Sequence, residues 1–126
     1  MHEMSIVQAL IEQVGVEIEQ AAQRGRIVGL DLVIGRLSGV HIDSIRFAFE
    51  LLSPGTLLDG AELRIQERRA VLACRDCSAC HEIEQIRFDC PACGSSHVVL
   101  QGGQELLLQS IELAEEEGAG SPSANP

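Results

Sequence analysis

Five cysteines fall between positions 74 and 93 of this 126-residue chain, and the rest of the sequence has none. They sit in the run CRDCSACHEIEQIRFDCPACGSSH. Cys74-x-x-Cys77 and Cys90-x-x-Cys93 form two CxxC pairs with twelve residues between them. A CxxC turn sets two thiolates on one edge of a tetrahedron, and amides within the turn donate to the sulfurs. Two such pairs are the sequence form of a closed four-thiolate zinc centre, structural rather than catalytic. Pro91 and Gly94 support the second turn, the glycine because such a turn calls for positive φ. Cys80 opens a second register, since Cys77-x-x-Cys80 is also a CxxC. The position of Cys74 directly after a strand pattern favours the Cys74 and Cys77 clamp. His81 and His97 flank the pairs and read as solvated loop histidines; their sharper reading is as occasional ligands or pH sensors. A rubredoxin-like iron site uses the same pairs among aromatic residues, which make up only 2% of this chain. A redox CxxC would not need two pairs.

The second group of donors is the amino end, MHEMSI. His2 is too large for methionine aminopeptidase to remove Met1, so the chain keeps a Met1 amine. That amine and the His2 amide nitrogen close a five-membered chelate ring, and the amide with His2 Nδ1 closes a six-membered one. The three nitrogens can share a plane, with the Glu3 amide or an outside side chain in the fourth position. Planar nitrogen donors suit Ni(II) or Cu(II) and not tetrahedral Zn(II). Protons compete for deprotonated amides, so such a site loses metal on acidification. The plainer reading of His2 is a harmless terminal residue.

Composition narrows the function classes. With 9 Lys+Arg against 19 Asp+Glu the net charge is -10, which repels phosphate backbones and argues against nucleic acid. No run is long and apolar enough to span a membrane. The amino end lacks a basic n-region and an apolar h-region, so a cytosolic protein is expected, with thiols kept reduced. A zinc hydrolase would need an open metal position and a placed base. Four cysteines leave no open position, and Glu82 and Glu84 read as solvated linker charges.

The elements that must hold these groups follow from periodicity. Residues 5–24 read as a helix with Ile6, Leu10, Val14 and Ile18 on one face, Ser5 and Gln8 at capping-box spacing, and Gly25 as the stop. Residues 1–4 would then lie outside the helix with free amides. Val28, Leu30, Leu32 and Ile34 alternate with Gly29, Asp31 and Val33, a strand pattern. His41 to Leu52 reads as a second amphipathic helix ended by Pro54-Gly55. AELRIQERRAVLAC reads as one second strand and QELLLQSIELAEE as a third. Phe47, Phe49 and Phe88 read as core. The expected fold is α+β: two helices on a three-stranded sheet, with an inserted zinc-ribbon-like four-cysteine module. The expected division is 1–73 plus 98–116 for the α/β part, 74–97 for the module, and a disordered tail at 117–126.

Taken in order, MHEMSI, IGRLSGV, FAFELL, GTLLDGAEL, CRDC with CPACGS, and GQELLLQSIEL resemble the HypA (or HybF) family, the nickel metallochaperones of NiFe-hydrogenase maturation. The resemblance spans nearly the whole chain apart from the tail. It implies a Ni(II) site at the amino end built on His2, with Met1 and Glu3 contributing, and a structural Zn(II) held by Cys74, Cys77, Cys90 and Cys93. It implies delivery to the hydrogenase large subunit with a HypB-type GTPase, service to urease in some members, no catalysis, and a monomer or homodimer. The chain departs at Arg36, where the family commonly carries an acidic residue. The competing reading is a zinc-ribbon adaptor that binds another protein and transfers no nickel.

Overall fold

The computed structural model describes residues 2–22 and 25–114. Met1 and the expected tail at 117–126 lie outside the described residues. The element order is α1 (His2–Ala21), β1 (Ile27–Gly35), α2 (Ile42–Leu52), β2 (Glu62–Arg68), β3 (Ala70–Cys74), β4 (Cys80–Ile83), β5 (Val98–Gln101) and β6 (Leu106–Leu113). The strands form two three-stranded sheets, ordered β2-β1-β6 and β4-β3-β5. Two compact units result. One comprises Met1–Leu32, His41–Arg64 and Leu108–Pro126; the other, the cysteine unit, comprises Val33–Val40 and Ile65–Leu107.

In the first unit the apolar interior is almost wholly aliphatic. Val7, Leu10 and Val14 of α1, Ile27, Leu30 and Leu32 of β1, Ile45 and Ala48 of α2, and Leu58 are buried, with Phe49 as the one buried aromatic. Phe47 is 61% exposed and Phe88 72% exposed, against the expectation that all three phenylalanines are core. Phe47 precedes Phe49 by two positions, about 200° round a helix, so only one of them can face inward. Phe88 lies between β4 and β5, where no strand turns it inward.

The helix α1 starts at His2, not after Ser5, and residues 2–4 are helical. The reason is tertiary. Glu3 sits in the first turn, at the positive end of the helix dipole, and its Oε2 accepts the His41 N–H at 3.2 Å. The early start leaves the amides of His2 and Glu3 without intrahelical acceptors, because the first four N–H groups of any helix have none. Ala22, at φ 53°, ends the helix before Gly25 does. α2 matches the expected span. Its N-cap is His41, extended at φ -89° and ψ 114°, and Nδ1 accepts the Ser44 N–H at 3.3 Å. An imidazole here does the work usually given to Ser, Thr, Asp or Asn.

The polar positions of β1 also have partners. Arg64 Nε bonds Asp31 Oδ1 at 2.8 Å, Arg64 Nη2 lies 2.9 Å from Glu112, and Ser110 Oγ donates to Asp31 at 2.6 Å. Gly29 leaves room for this network, since a side chain there would meet the Arg64 guanidinium at 2.6 Å. The Arg64 and Ser110 bonds hold the Asp31 carboxyl down to about 2.

The expected single strand AELRIQERRAVLAC is two strands, β2 and β3, broken at Arg69 and belonging to different sheets. The sequence carried the signal. Leu63 and Ile65 are apolar on odd positions, whereas Ala70, Leu72 and Cys74 are apolar on even ones, and such a shift of phase cannot keep one face buried. β3 is the middle strand of the second sheet. Leu72 stands opposite His81 of β4 and Leu100 of β5, and Ala70 stands opposite Ile83. Ala70, Leu72 and Ile83 form the buried cluster, with Leu37, Val98 and Leu100 packed against it. Only Ile83 of the buried three comes from the segment 74–97.

Candidate metal centre

The strand β3 ends at Cys74 and feeds it into the first of two turns with the same backbone hydrogen bonds. In the first, Cys74 N–H donates to Ala79 O at 2.9 Å and Ser78 N–H to Cys74 O at 3.1 Å. In the second, Cys90 N–H donates to Ser95 O at 2.9 Å and Gly94 N–H to Cys90 O at 2.8 Å. The fifth residue of each turn has positive φ, 64° at Ser78 and 77° at Gly94. Glycine takes that conformation freely and serine takes it under constraint. Within each turn an amide points at the leading sulfur: Cys77 N–H to Cys74 Sγ and Ala92 N–H to Cys90 Sγ, both at 3.4 Å.

These turns bring the four sulfurs of Cys74, Cys77, Cys90 and Cys93 within 4.8 Å of one another. Cys74 and Cys93 are 3.6 Å apart and Cys77 and Cys90 3.7 Å. A tetrahedral ion with metal–sulfur bonds near 2.3 Å has sulfur–sulfur edges of about 3.8 Å, so the cage fits such an ion. Donors of sulfur alone select soft or borderline metals. Cys80 stays out for a reason of sheet geometry. It stands opposite Ala73, and Ala73 points to the face of β3 opposite that of Cys74. The ambiguity between the two CxxC registers is settled by the pleat.

Proton affinities show how crowded the thiols are. The Cys90 thiol is held down to about 6, first by the Cys93 N–H and then by the Ala92 N–H. At Cys93 the Ser95 N–H pulls downward, but the Cys74, Cys77 and Cys90 sulfurs outweigh it and push the thiol up to about 12. Cys77 is also raised: the Ala79 N–H lowers it, and Cys74, burial and Cys90 more than compensate. Four adjacent thiolates repel one another, and a cation at their centre removes the conflict.

A cross-link between the turns went unforeseen. Asp76, inside the first CxxC, accepts from Ser95 Oγ at 2.5 Å and lies 3.3 Å from His97 Nδ1, and Arg75 N–H donates to His97 O at 2.8 Å. The Ser95 and His97 bonds lower the Asp76 carboxyl. Setting the two turns side by side, with Asp76 and Ser95 both polar and close to the cysteines, would have exposed the pair. His97 is thus exposed beside the centre and outside the sulfur cage. His81 stands opposite the buried Leu72, and its buried Nε2 has no hydrogen-bond partner among the described residues. Glu82 and Glu84 are paired, with Arg69 at 2.7 Å and Arg36 at 2.8 Å. Arg36 also reaches Glu67 at 3.4 Å, so the residue that departs from the resembled family ties parts of the cysteine unit together.

At the amino end, His2 is exposed and Glu3 partly buried, both in the first turn of α1. The His41 N–H, as the first cause, lowers the Glu3 carboxyl. Met1, the third residue expected there, lies outside the described residues.

Residues 1–113 match the family described as hydrogenase/urease nickel incorporation, metallochaperone, hypA. The chain belongs to the HypA family. It is 39% identical over 115 residues to the hydrogenase maturation factor HypA of Chlorobaculum tepidum, covering 90% of this chain and 99% of that one. It is 42% identical over 116 residues to the HypA of Syntrophus aciditrophicus, with coverage of 90% and 99%. The solution structure of the Ni metallochaperone HypA from Helicobacter pylori superposes with a TM-score of 0.61 at 27% identity, over 90% of this chain and 98% of that one. A second HypA solution structure gives 0.64 at 27% identity. HypA proteins are metallochaperones and not enzymes, and the four-cysteine metal site of this chain is part of that framework. No helix among the described residues is long and apolar enough to cross a membrane.

Proposed function

We propose that this chain binds Ni(II) through the Met1 amine, the His2 amide and imidazole, and the Glu3 amide, and delivers it for NiFe-hydrogenase maturation. Zn(II), held by Cys74, Cys77, Cys90 and Cys93, is the structural ion. The observation that carries the nickel reading is His2 and Glu3 opening a helix, with amides that no intrahelical carbonyl claims, in a member of a nickel metallochaperone family. Amide and imidazole nitrogens favour a planar ion, while a closed cage of four sulfurs favours a tetrahedral one, so the two metals are sorted by geometry. A terminal chelate suits a carrier, because its backbone donors release metal when a partner or a proton competes.

The receiver in this reading is the hydrogenase large subunit, with a HypB-type GTPase assisting and urease as a further client. The work takes place in the reducing cytoplasm, where the thiols stay free. The 74–97 segment carries the zinc ligands within the cysteine unit, Val33–Val40 and Ile65–Leu107, and the nickel end opens the other unit. The test is a nickel titration of zinc-loaded protein with a native amino terminus, beside His2→Ala. About one nickel per chain with a planar-site absorption spectrum, lost in His2→Ala, supports the reading. Equal binding by both proteins places nickel elsewhere, and binding by neither leaves a zinc-ribbon adaptor.

A further inference from the structure

We propose that the Glu3 side chain is a positioning residue, not a metal ligand: its carboxylate latches the first turn of α1 to the N-cap of α2 through the His41 N–H. The inference rests on the amino-terminal nickel reading above and deepens it. Glu3 Oε2 accepts that N–H at 3.2 Å, across 38 residues of sequence. Both partners stand on packed helices, anchored by Val7 and Leu10 on α1 and by Ile45 and Ala48 on α2. The His41 N–H precedes the helical ladder of α2, so it needs an acceptor from elsewhere, and Glu3 supplies one.

The same geometry removes two side chains from the coordination plane. The Glu3 carboxylate is turned toward the α2 cap. The His41 imidazole, the other nitrogen donor at this place, uses its Nδ1 lone pair to accept the Ser44 N–H and lies 2.9 Å from Ser44 Oγ. Glu3 Oε2 is engaged at the α2 cap and the His41 Nδ1 lone pair at the Ser44 N–H, so neither of these two atoms can ligate without giving up its bond at the helix end. The fourth position is therefore left to the Glu3 amide or to a group brought by the receiving protein. When nickel enters, the amide protons it displaces leave from His2 and Glu3 nitrogens. The latch proper joins the Glu3 carboxylate to the His41 N–H, while the Glu3 N–H also leans on that carboxylate and would give up this contact when nickel takes its nitrogen. A terminus held in this way has less freedom to lose on binding metal than a frayed one.

The experiment uses the full zinc-loaded chain with a native amino terminus and nickel chloride as the probe. Wild type, Glu3→Gln, Glu3→Ala and His2→Ala are compared by calorimetry and by the visible d–d bands. Exchange of the His41 amide hydrogen is followed in nickel-free protein. Glu3→Gln keeps an acceptor oxygen and is expected to bind within about threefold of wild type. Glu3→Ala is expected to bind about 5- to 30-fold more weakly, the equivalent of freeing one backbone residue. The d–d bands of both Glu3 variants should stay in place, and the His41 amide should exchange faster in Glu3→Ala alone. A band shift in Glu3→Gln would make the carboxylate a ligand and overturn the proposal, as would wild-type affinity in Glu3→Ala. Loss of nickel in His2→Ala with wild-type binding in Glu3→Ala sinks the latch alone. Retention of nickel in His2→Ala sinks the nickel reading and the latch with it.

Discussion

A thiol must lose its proton before it can grip a metal, so the protons held by the metal-free cage set how steeply its affinity depends on pH. At pH 7 Cys90, held at about 6, is already largely ionised. Cys93, pushed up to about 12, and Cys77, raised above an already high thiol value, both still carry protons. Zinc binding at pH 7 should therefore release at least two protons. The sign follows: the bound state holds these groups as thiolates, so affinity is full at high pH and is lost as pH falls. Each proton contributes about a tenfold change per pH unit, so affinity should fall at least about a hundredfold between pH 7 and pH 6. Competition against a chromophoric chelator at both pH values measures the slope. Calorimetry in two buffers of different ionisation heat counts the protons. Cys80→Ser should leave both numbers unchanged, since Cys80 faces away from the cage. A release of one proton or fewer, or a slope shallower than tenfold per unit, would refute the account of Cys77 and Cys93. A changed count in Cys80→Ser would refute the assignment of the first CxxC.

Three further outcomes follow from packing and charge. Leu72→Ala, at a position 1% exposed in the middle strand of the cysteine unit, should cost about 2–5 kcal/mol in denaturant unfolding of the metal-loaded protein. Gly103→Ala should also destabilise, by more than about 1 kcal/mol, because Gly103 has φ 88° and a methyl there would lie 2.7 Å from Ala70 Cα; a neutral result in thermal melting would count against that contact. The Asp31 carboxyl is depressed from 3.8 to about 2, so its stabilising contribution is full above 3.8 and is lost as pH falls toward 2. Asp31→Asn should flatten the dependence of urea stability on pH across that window alone.

Much of this protein could be read one residue type at a time. The two CxxC pairs specify a four-sulfur centre because the chemistry needs only that residue, at that spacing, in two turns of known form. The proposed amino-terminal chelate likewise depends on consecutive atoms of one short peptide. α2 was visible because it buries one face, and that burial writes its period into the sequence; β1 was visible as a short apolar run rich in β-branched residues, buried on both faces at Leu32, Val33 and Ile34. Local spacing misled where a distant partner decided the outcome. Ser5 has the spacing of a cap, yet α1 runs on to His2, where Glu3 meets the His41 amide. Phe47 and Phe88 are as apolar as Phe49, but helix phase and the lack of a strand leave them exposed.

The sequence by itself determined the donor set, the aliphatic character of the core and the α+β class, since each is a matter of composition, spacing or period. Only the tertiary structure decided which cysteines meet. Cys80 has the right spacing from Cys77 and the right chemistry, but pairing with Ala73 turns it to the other face of the sheet. The shift of apolar phase after Ile65 marks the break between β2 and β3 in the sequence, but only the tertiary structure gave the cysteine unit a sheet of its own. Strand partners depend on residues far away along the chain, and a local pattern shows which residues share a face but not which strand they meet.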